Sequence, residues 1–170
     1  MHGDNAYVTL TYSEENLPVA LGGKRRGARE PSSQMSCASS GTLVLEDVQN
    51  WMKRLRKAIE PVRIRYYVVG EYGDENHRPH YHAAIFGLPS CQRGTTMRDV
   101  RGRPVWSRCC DQCRLVGDTW GKGDVVLGVL EKDSCQYVCG YVTKKLTSRN
   151  DERLFGRYPE FAVMSRRPGS

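Results

Sequence analysis

Residues 80–86 of the chain read His80-Tyr81-His82-Ala83-Ala84-Ile85-Phe86. Successive side chains of a β-strand point to opposite faces, so the two histidines would share one face, and the apolar residues after them continue the strand. Residues 64–72 form a second predicted strand, and the turn composition of Gly73-Asp74-Glu75-Asn76 lies between the two strands. The sequence therefore predicts a β-hairpin that carries a pair of histidines on one face.

Further strands and helices are predicted on both sides of this hairpin. Residues 7–12, 124–130 and 161–164 have the composition of strands. One helix is predicted before Pro61, because apolar residues recur at helical spacing at Val48, Trp51, Met52, Leu55 and Ile59. A second helix has Ser134 as its N-cap and runs to about residue 146. The order β-α-β-β-β-α-β predicts an α+β, ferredoxin-like fold, an antiparallel sheet with helices on one face.

The bulk composition indicates a single basic domain. The 170 residues carry a formal net charge of +7, which favours a polyanionic partner, with nucleic acid ahead of a membrane surface. No apolar run approaches the roughly 18 residues of a membrane span, and the N-terminus lacks the pattern of a signal peptide. We expect one domain over residues 1–170, with a Gly/Ser/Arg-rich loop at about 20–42, a Cys-rich insertion at about 88–123 and a truncated C-terminus.

The paired histidines are candidate metal ligands. His80 and His82 would supply two imidazoles, and Glu71, near the end of the neighbouring predicted strand, would bring a carboxylate close to them. Imidazole suits transition metals and carboxylate suits harder ions, so the three side chains predict a divalent-metal site with positions open to a phosphate and water. The histidine motif also fits two surface residues without a metal. His77, in the turn, and His2, near the terminus, are not expected to be ligands.

The second predicted helix carries two tyrosines followed by two lysines. Tyr137 and Tyr141 lie four residues apart and share a helix face with Lys145. The pKa of tyrosine is about 10, so nucleophilic attack by a phenol needs a nearby cation or metal. Lys144 or Lys145 could favour the phenolate and offset charge on a phosphoryl transition state. The alternative is that the tyrosines pack against the sheet and the lysines are solvated.

The seven cysteines, without a secretion signal, favour thiols or metal ligands in a reducing compartment over a disulfide framework. Cys110 and Cys113 form a C-x-x-C motif, preceded by Cys109 and, farther away, by Cys91. A structural Zn²⁺ at Cys109, Cys110 and Cys113 would pin the insertion. A second close pair of cysteines is missing, however, so thiols without a metal are the default expectation.

Together these motifs resemble those of the HUH endonucleases that start rolling-circle replication, in particular the replication initiators of microviruses of the gokushovirus group. The resemblance covers nearly the whole chain. Residues 7–18 are similar to the first family motif, residues 70–73 with 78–87 to the second, and residues 137–145 to the third, in its two-tyrosine form. Residues 165–169 resemble a segment beyond the nuclease core.

This resemblance implies an RRM-like palm fold and a metal-dependent transesterification on single-stranded or extruded origin DNA. A tyrosine would form a 5′-phosphotyrosine and release a 3′-OH for the host polymerase and helicase, in the cytoplasm of the bacterial host and without a membrane partner. The second tyrosine would cut the regenerated origin. The residues so implied are Glu71, His80 and His82 for Mg²⁺ or Mn²⁺, and Tyr137, Tyr141, Lys144 and Lys145 for catalysis.

Two other functions fit the same sequence. A non-catalytic module that binds single-stranded nucleic acid would stack bases on the strand aromatics Tyr7, Tyr66 and Tyr67, although the aromatic motif of RRM proteins is missing. A metal-dependent nuclease that uses water would need no tyrosine nucleophile. Replacement of both helix tyrosines by phenylalanine separates the second alternative from the tyrosine mechanism.

Overall fold

The computed structural model describes residues 4–19, 41–74, 76–91, 110–144, 154 and 156–165. Most of the loop expected at about 20–42, and the part of the expected insertion at 92–109, lie outside these residues. The helices and strands follow in the order β1 (Asn5–Thr11), α1 (Leu45–Ala58), β2 (Arg65–Tyr72), β3 (Pro79–Phe86), α2 (Asp111–Trp120), β4 (Val125–Val129), α3 (Lys132–Lys144) and β5 (Phe161–Met164).

The five strands form one antiparallel sheet in the order β4-β1-β3-β2-β5. This confirms the predicted α+β, ferredoxin-like fold. The predicted hairpin is confirmed as well, and in its register Glu71 of β2 faces His80 of β3. On its other edge β3 pairs with β1, where Thr9 faces His82 and Thr11 faces His80. The histidine strand is therefore hydrogen-bonded on both sides and lies at the centre of the sheet.

One face of the sheet forms the main hydrophobic core. Alternate residues of β1 and β3 point into it, and α1 buries its predicted apolar stripe against them. Burial of side chains of this size contributes about 1.5–3 kcal/mol each relative to exposure, so the stripe is what attaches α1 to the sheet. The buried residues of α1 are Val48, Trp51, Met52 and Leu55, and those of the two strands are Ala6, Val8, Leu10, Tyr81, Ala83 and Ile85.

Tyr81, between the two histidines, points into this core. Its hydroxyl accepts a hydrogen bond from the backbone N–H of Val44 at 2.9 Å and lies 2.7 Å from the hydroxyl of Tyr12. The Tyr12 hydroxyl in turn donates to the Asp47 carboxylate at 2.8 Å. Burial raises the pKa of both phenols, so they stay protonated. This chain of hydrogen bonds ties the central strand to the first turn of α1.

Helix α2 lies in the segment that the sequence analysis treated as an irregular insertion. It buries Val116 and Trp120 in the main core, and the Trp120 indole N–H donates to the carbonyl of Thr11 at 2.9 Å. The helix ends at Gly121, whose φ of 65° lies in the left-handed region that favours glycine. A ten-residue helix with one deeply buried apolar pair shows too little periodicity to be predicted.

Helix α3 covers the opposite face of the sheet. It lies against β2 and β3, and its Val138 is buried, as are Val69 of β2 and Ala84 of β3, yet none of these three belongs to the main core. The predicted N-cap is wrong, because α3 begins at Lys132 and Ser134 is already inside its first turn. None of the described helices combines the length and the apolar content that a membrane span requires.

Candidate active site

Glu71, His80 and His82 meet on the sheet face that α3 covers. The Oε1 atom of Glu71 lies 2.9 Å from Nε2 of His80 and 3.0 Å from Nε2 of His82. The strand register causes this convergence, since Glu71 faces His80 directly and His82 follows two residues later on the same side of β3. Glu71 is only 3% exposed and His82 8%, whereas the His80 side chain is 20% exposed, so the cluster opens to solvent on the His80 side.

The far side of each imidazole ring is held by another group. Nδ1 of His80 lies 3.1 Å from the carbonyl oxygen of Arg78. Because a carbonyl only accepts, Nδ1 carries the proton and Nε2 is the nitrogen turned toward Glu71. Nδ1 of His82 lies 2.7 Å from the Tyr7 hydroxyl and 3.0 Å from the Thr9 hydroxyl. The Tyr7 ring also stacks on His82, with an interplanar angle of 11°. Both rings are thereby fixed with Nε2 facing the carboxylate.

The Glu71 carboxylate stays ionised in this setting. Its burial opposes ionisation, but hydrogen bonds from His80 and His82 and the attraction of their charges outweigh it. The net result lowers the pKa of Glu71 from 4.5 to about 2. A carboxylate that is charged at every ordinary pH is the state that a cation needs from its ligand.

The donor set fits a divalent metal ion. One carboxylate oxygen and two imidazole nitrogens lie within 4.8 Å of one another. This mixture of oxygen and nitrogen ligands suits Mn²⁺ and related ions, and the carboxylate also suits Mg²⁺. The groups behind the two rings are the outer partners that orient histidine ligands in metal sites. The three residues predicted from the sequence are therefore together, in an arrangement able to hold such an ion.

The predicted nucleophile helix lies over the same region of the sheet. The backbone of α3 includes Tyr137, Tyr141 and Lys144, and α3 lies against the two strands that carry the cluster. The side chains of these three residues are outside the described part of the chain, and so is all of Lys145. Their predicted roles in catalysis stay predictions.

A family of replication proteins has the sequence pattern of this chain over most of its length. Residues 5–146 match the model of the family described as replication-associated protein ORF2. The chain belongs to this family.

Three phage proteins are similar to this member of the ORF2 family. Replication-associated protein ORF2 of Spiroplasma virus 4 is 32% identical over 166 residues, which are 95% of this chain and 45% of that protein. Replication-associated protein VP4 of Bdellovibrio phage phiMH2K is 29% identical over 89% of this chain and 42% of its own length. Replication-associated protein ORF4 of Chlamydia phage 1 is 25% identical over 85% of this chain and 31% of its own.

The chain spans less than half the length of each of these relatives. No solved structure matches it. The match to the ORF2 family confirms the resemblance to phage replication proteins that the sequence motifs indicated.

Two supporting contacts of the candidate site were missed by the sequence analysis. Tyr7 and Thr9 hold His82, and their alternation on β1 is the signal that could have suggested a shared face. Arg78 orients His80 through its backbone carbonyl, which leaves no signal in the sequence. The Arg78 guanidinium pairs with Glu14 and donates to a backbone carbonyl, and so fixes the start of β3.

The strand aromatics do not form one stacking platform. Tyr7 and Tyr67 lie beside Ala84 on the α3 face of the sheet, whereas Tyr66 faces Ile85 and packs against the main core on the other. Ala84 is buried, so the centre of the α3 face is covered rather than open to bases. This arrangement counts against the non-catalytic binding module, which needs an open face with aligned aromatic rings.

The basic residues of α1 lie on the far side of the molecule from the candidate site. Their helix packs on the core face, and Arg54 donates hydrogen bonds to the carbonyls of Thr119 and Trp120 at the end of α2. Arg56 lies over the ring of Tyr66. These two side chains are therefore engaged within the fold, and they are poorly placed to hold a phosphate beside His80.

The structure groups the cysteines differently from the predicted zinc site. Cys91, Cys110 and Cys113 meet within 4.8 Å, whereas Cys109 lies outside the described residues. The sequence alone gave Cys91 no role, because nineteen positions separate it from Cys110. Only the tertiary structure brings the end of β3 to the start of α2.

Proposed function

We propose that this chain is the nuclease domain of a phage replication initiator, which nicks single-stranded DNA through a tyrosine and rejoins it. The observation that carries the proposal is the convergence of Glu71, His80 and His82 on the sheet face covered by α3, the helix whose sequence contains Tyr137 and Tyr141. The names of three similar phage proteins, all replication-associated, support the same function.

A divalent metal bound by Glu71, His80 and His82 would polarise one phosphate of the DNA backbone. The protein contributes the geometry of the three ligands. Tyr7 and Thr9 hold the His82 ring, and the Arg78 carbonyl sets the protonated nitrogen of His80. Since Glu71 is ionised without any rearrangement, the ligands are organised before DNA binds.

The proposed reaction exchanges one phosphoester bond for another. The phenol oxygen of Tyr137 or Tyr141 loses its proton and attacks phosphorus, and the bond from phosphorus to the upstream 3′ oxygen breaks. That oxygen takes up a proton and leaves as a 3′-OH, while the downstream strand stays attached through its 5′ phosphate. Rejoining is the reverse reaction with a 3′-OH as nucleophile. Lys144 or Lys145 would offset the charge that develops on the phosphoryl oxygens.

Two other tyrosines are excluded from this role by their surroundings. Tyr12 and Tyr81 point into the main core, on the face opposite to the histidines. Burial raises the pKa of both phenols, so neither would form the phenolate that attack requires. The candidate nucleophiles are thus restricted to tyrosines that the sequence places on α3.

The proposed substrate is single-stranded or extruded origin DNA in the cytoplasm of a bacterial host, where the host polymerase and helicase would use the released 3′-OH. A formal net charge of +7 suits a polyanionic substrate. Because binding would release counterions from the phosphates, affinity should fall steeply as the salt concentration rises.

The deciding experiment is a denaturing gel of the purified chain with labelled single-stranded oligonucleotides that tile the genome encoding it, with and without Mn²⁺. We expect metal-dependent cleavage and a covalent protein–DNA species that carries only the label downstream of the cut. Mass spectrometry of this species should locate the DNA on Tyr137 or Tyr141.

The matched variants are Tyr137→Phe with Tyr141→Phe, and Tyr66→Phe as a control on the opposite face of the sheet. The double variant should lose cleavage and adduct and keep DNA binding, whereas the control should keep all three. Cleavage without an adduct would indicate a nuclease that uses water. Binding without cleavage on every oligonucleotide would favour the non-catalytic module, and both results would overturn the proposal.

A further inference from the structure

Three cysteine sulfur atoms come together where the chain leaves β3 and where it enters α2. Cys91 lies five positions after the last residue of β3. Cys110 is the N-cap of α2, and Cys113 lies three residues later, in the first turn of the helix. The three Sγ atoms lie within 4.8 Å of one another, and none of the three cysteines forms a disulfide.

We propose that Cys91, Cys110 and Cys113 hold a structural zinc ion as thiolates. Zn–S bonds of about 2.3 Å in a tetrahedron place the sulfur atoms about 3.8 Å apart, so these atoms would need to approach by at most about 1 Å. The positive end of the α2 dipole favours ionised sulfur at Cys110 and Cys113. A disulfide could link only two of the three, which leaves the third sulfur beside it without a purpose.

The site is separate from the proposed active site. Cys91 and Cys110 belong to the main hydrophobic core and Cys113 packs against it, whereas Glu71, His80 and His82 lie on the other face of the sheet. Zinc here would act on the fold and not on DNA. Cys113 is partly exposed, so the fourth coordination position would be accessible to water.

The ion would fix the position of α2. Residues 92–109 separate two of its ligands in sequence, and closing that loop removes conformational freedom from the unfolded chain. Helix α2 in turn contacts the end of β1, through the hydrogen bond from the Trp120 indole to the Thr11 carbonyl. Thr11 faces His80 across the sheet, so α2 supports the end of the strand next to the histidines.

Zinc content measures the proposal directly. The test uses the full chain with His80→Ala and His82→Ala, so that the histidine cluster cannot contribute zinc. We expect about one zinc ion per chain by elemental mass spectrometry, since a structural site of this kind holds a single ion. Adding Cys113→Ser should remove it. Adding Cys135→Ser, a partly exposed cysteine on α3, should leave it unchanged.

Cobalt provides a second measurement that does not depend on any variant folding well. The wild-type chain, stripped of metal under reducing conditions and loaded with Co²⁺, should show the charge-transfer absorption of cobalt bound to thiolate. Zinc should displace this signal. Cys91→Ala and Cys113→Ser should lose it, and Cys135→Ser should keep it.

Absence of the charge-transfer absorption in the wild-type chain would overturn the proposal. Zinc content that survives Cys113→Ser, or that falls equally with Cys135→Ser, would also overturn it. None of these readouts depends on DNA cleavage, so the zinc site and the proposed function can each fail without the other.

Discussion

The two faces of strand β3 differ in what they do, although the residues concerned are adjacent. Tyr81 is fully buried in the main core, where its hydroxyl joins β3 to the start of α1. His80 and His82, on either side of it, point the opposite way and share one oxygen of Glu71. One strand thus carries stability on one face and a candidate metal site on the other, and substitutions at neighbouring positions should separate the two properties.

The largest effect is expected on the histidine face. His80→Ala removes a metal ligand that is partly exposed and outside the main core. Since a bound metal contributes several kcal/mol of transition-state stabilisation, metal-dependent cleavage should fall on the order of 10³-fold. The rate of cleavage at saturating Mn²⁺ measures this. Cleavage that persists at the wild-type rate would show that the cluster is not the catalytic metal site.

The reverse pattern is expected on the core face. Tyr81→Phe leaves the buried N–H of Val44 without its acceptor and breaks the link to Tyr12, so the free energy of unfolding should fall by about 1–3 kcal/mol. Urea denaturation measures this change. Cleavage per folded molecule should stay at the wild-type level, and a loss of cleavage larger than the loss of folded protein would contradict the separation of the two faces.

A smaller effect is expected from the residue that supports the histidine. Tyr7→Phe removes one of the two hydroxyls beside His82 and leaves Thr9 in place, so metal affinity should fall by about 10-fold. Titration of Mn²⁺ against the chain measures the affinity. Tyr66→Phe, on the core face, is the matched control and should not change it. Equal affinities in wild type and Tyr7→Phe would mean that the hydroxyl does not position the ring.

The smallest effect at neutral pH concerns the ionisation of Glu71. Because its pKa is lowered from 4.5 to about 2, the charged form contributes stability that is fully present above pH 4.5 and is lost as the pH falls through about 2. In urea denaturation of the metal-free chain, the difference between wild type and Glu71→Gln should stay constant above pH 4.5 and shrink in stronger acid. A difference that does not change with pH would refute the ionised pair.

Most of what the sequence predicted correctly depends on neighbouring residues. The alternation in residues 80–86, the turn at 73–76 and the stripe on α1 each arise within one or two elements, so the hairpin, Glu71 and the core face of α1 could be read directly. Family resemblance added what local patterns do not contain, namely the link between the histidines and phage replication proteins.

What the sequence did not reveal depends on tertiary contacts. Tyr7 and His82 are 75 residues apart, and only the register between β1 and β3 brings the hydroxyl to the ring. Cys91 joins Cys110 and Cys113 because β3 and α2 border the same core. Helix α2 was missed for a related reason, since it is held in place by Trp120 and its contacts more than by a periodic pattern.

The central position of β3 has a consequence for the motions of the protein. Both edges of the strand are hydrogen-bonded, so its backbone amides can reach solvent only when two ladders open together. In a hydrogen–deuterium exchange experiment, the peptide that contains His80 and His82 should therefore be among the last to exchange, at a rate set by global unfolding. An initiator built in this way would accommodate successive strands of DNA through movement of the groups around its metal ligands, while the ligands themselves stay as rigid as the core.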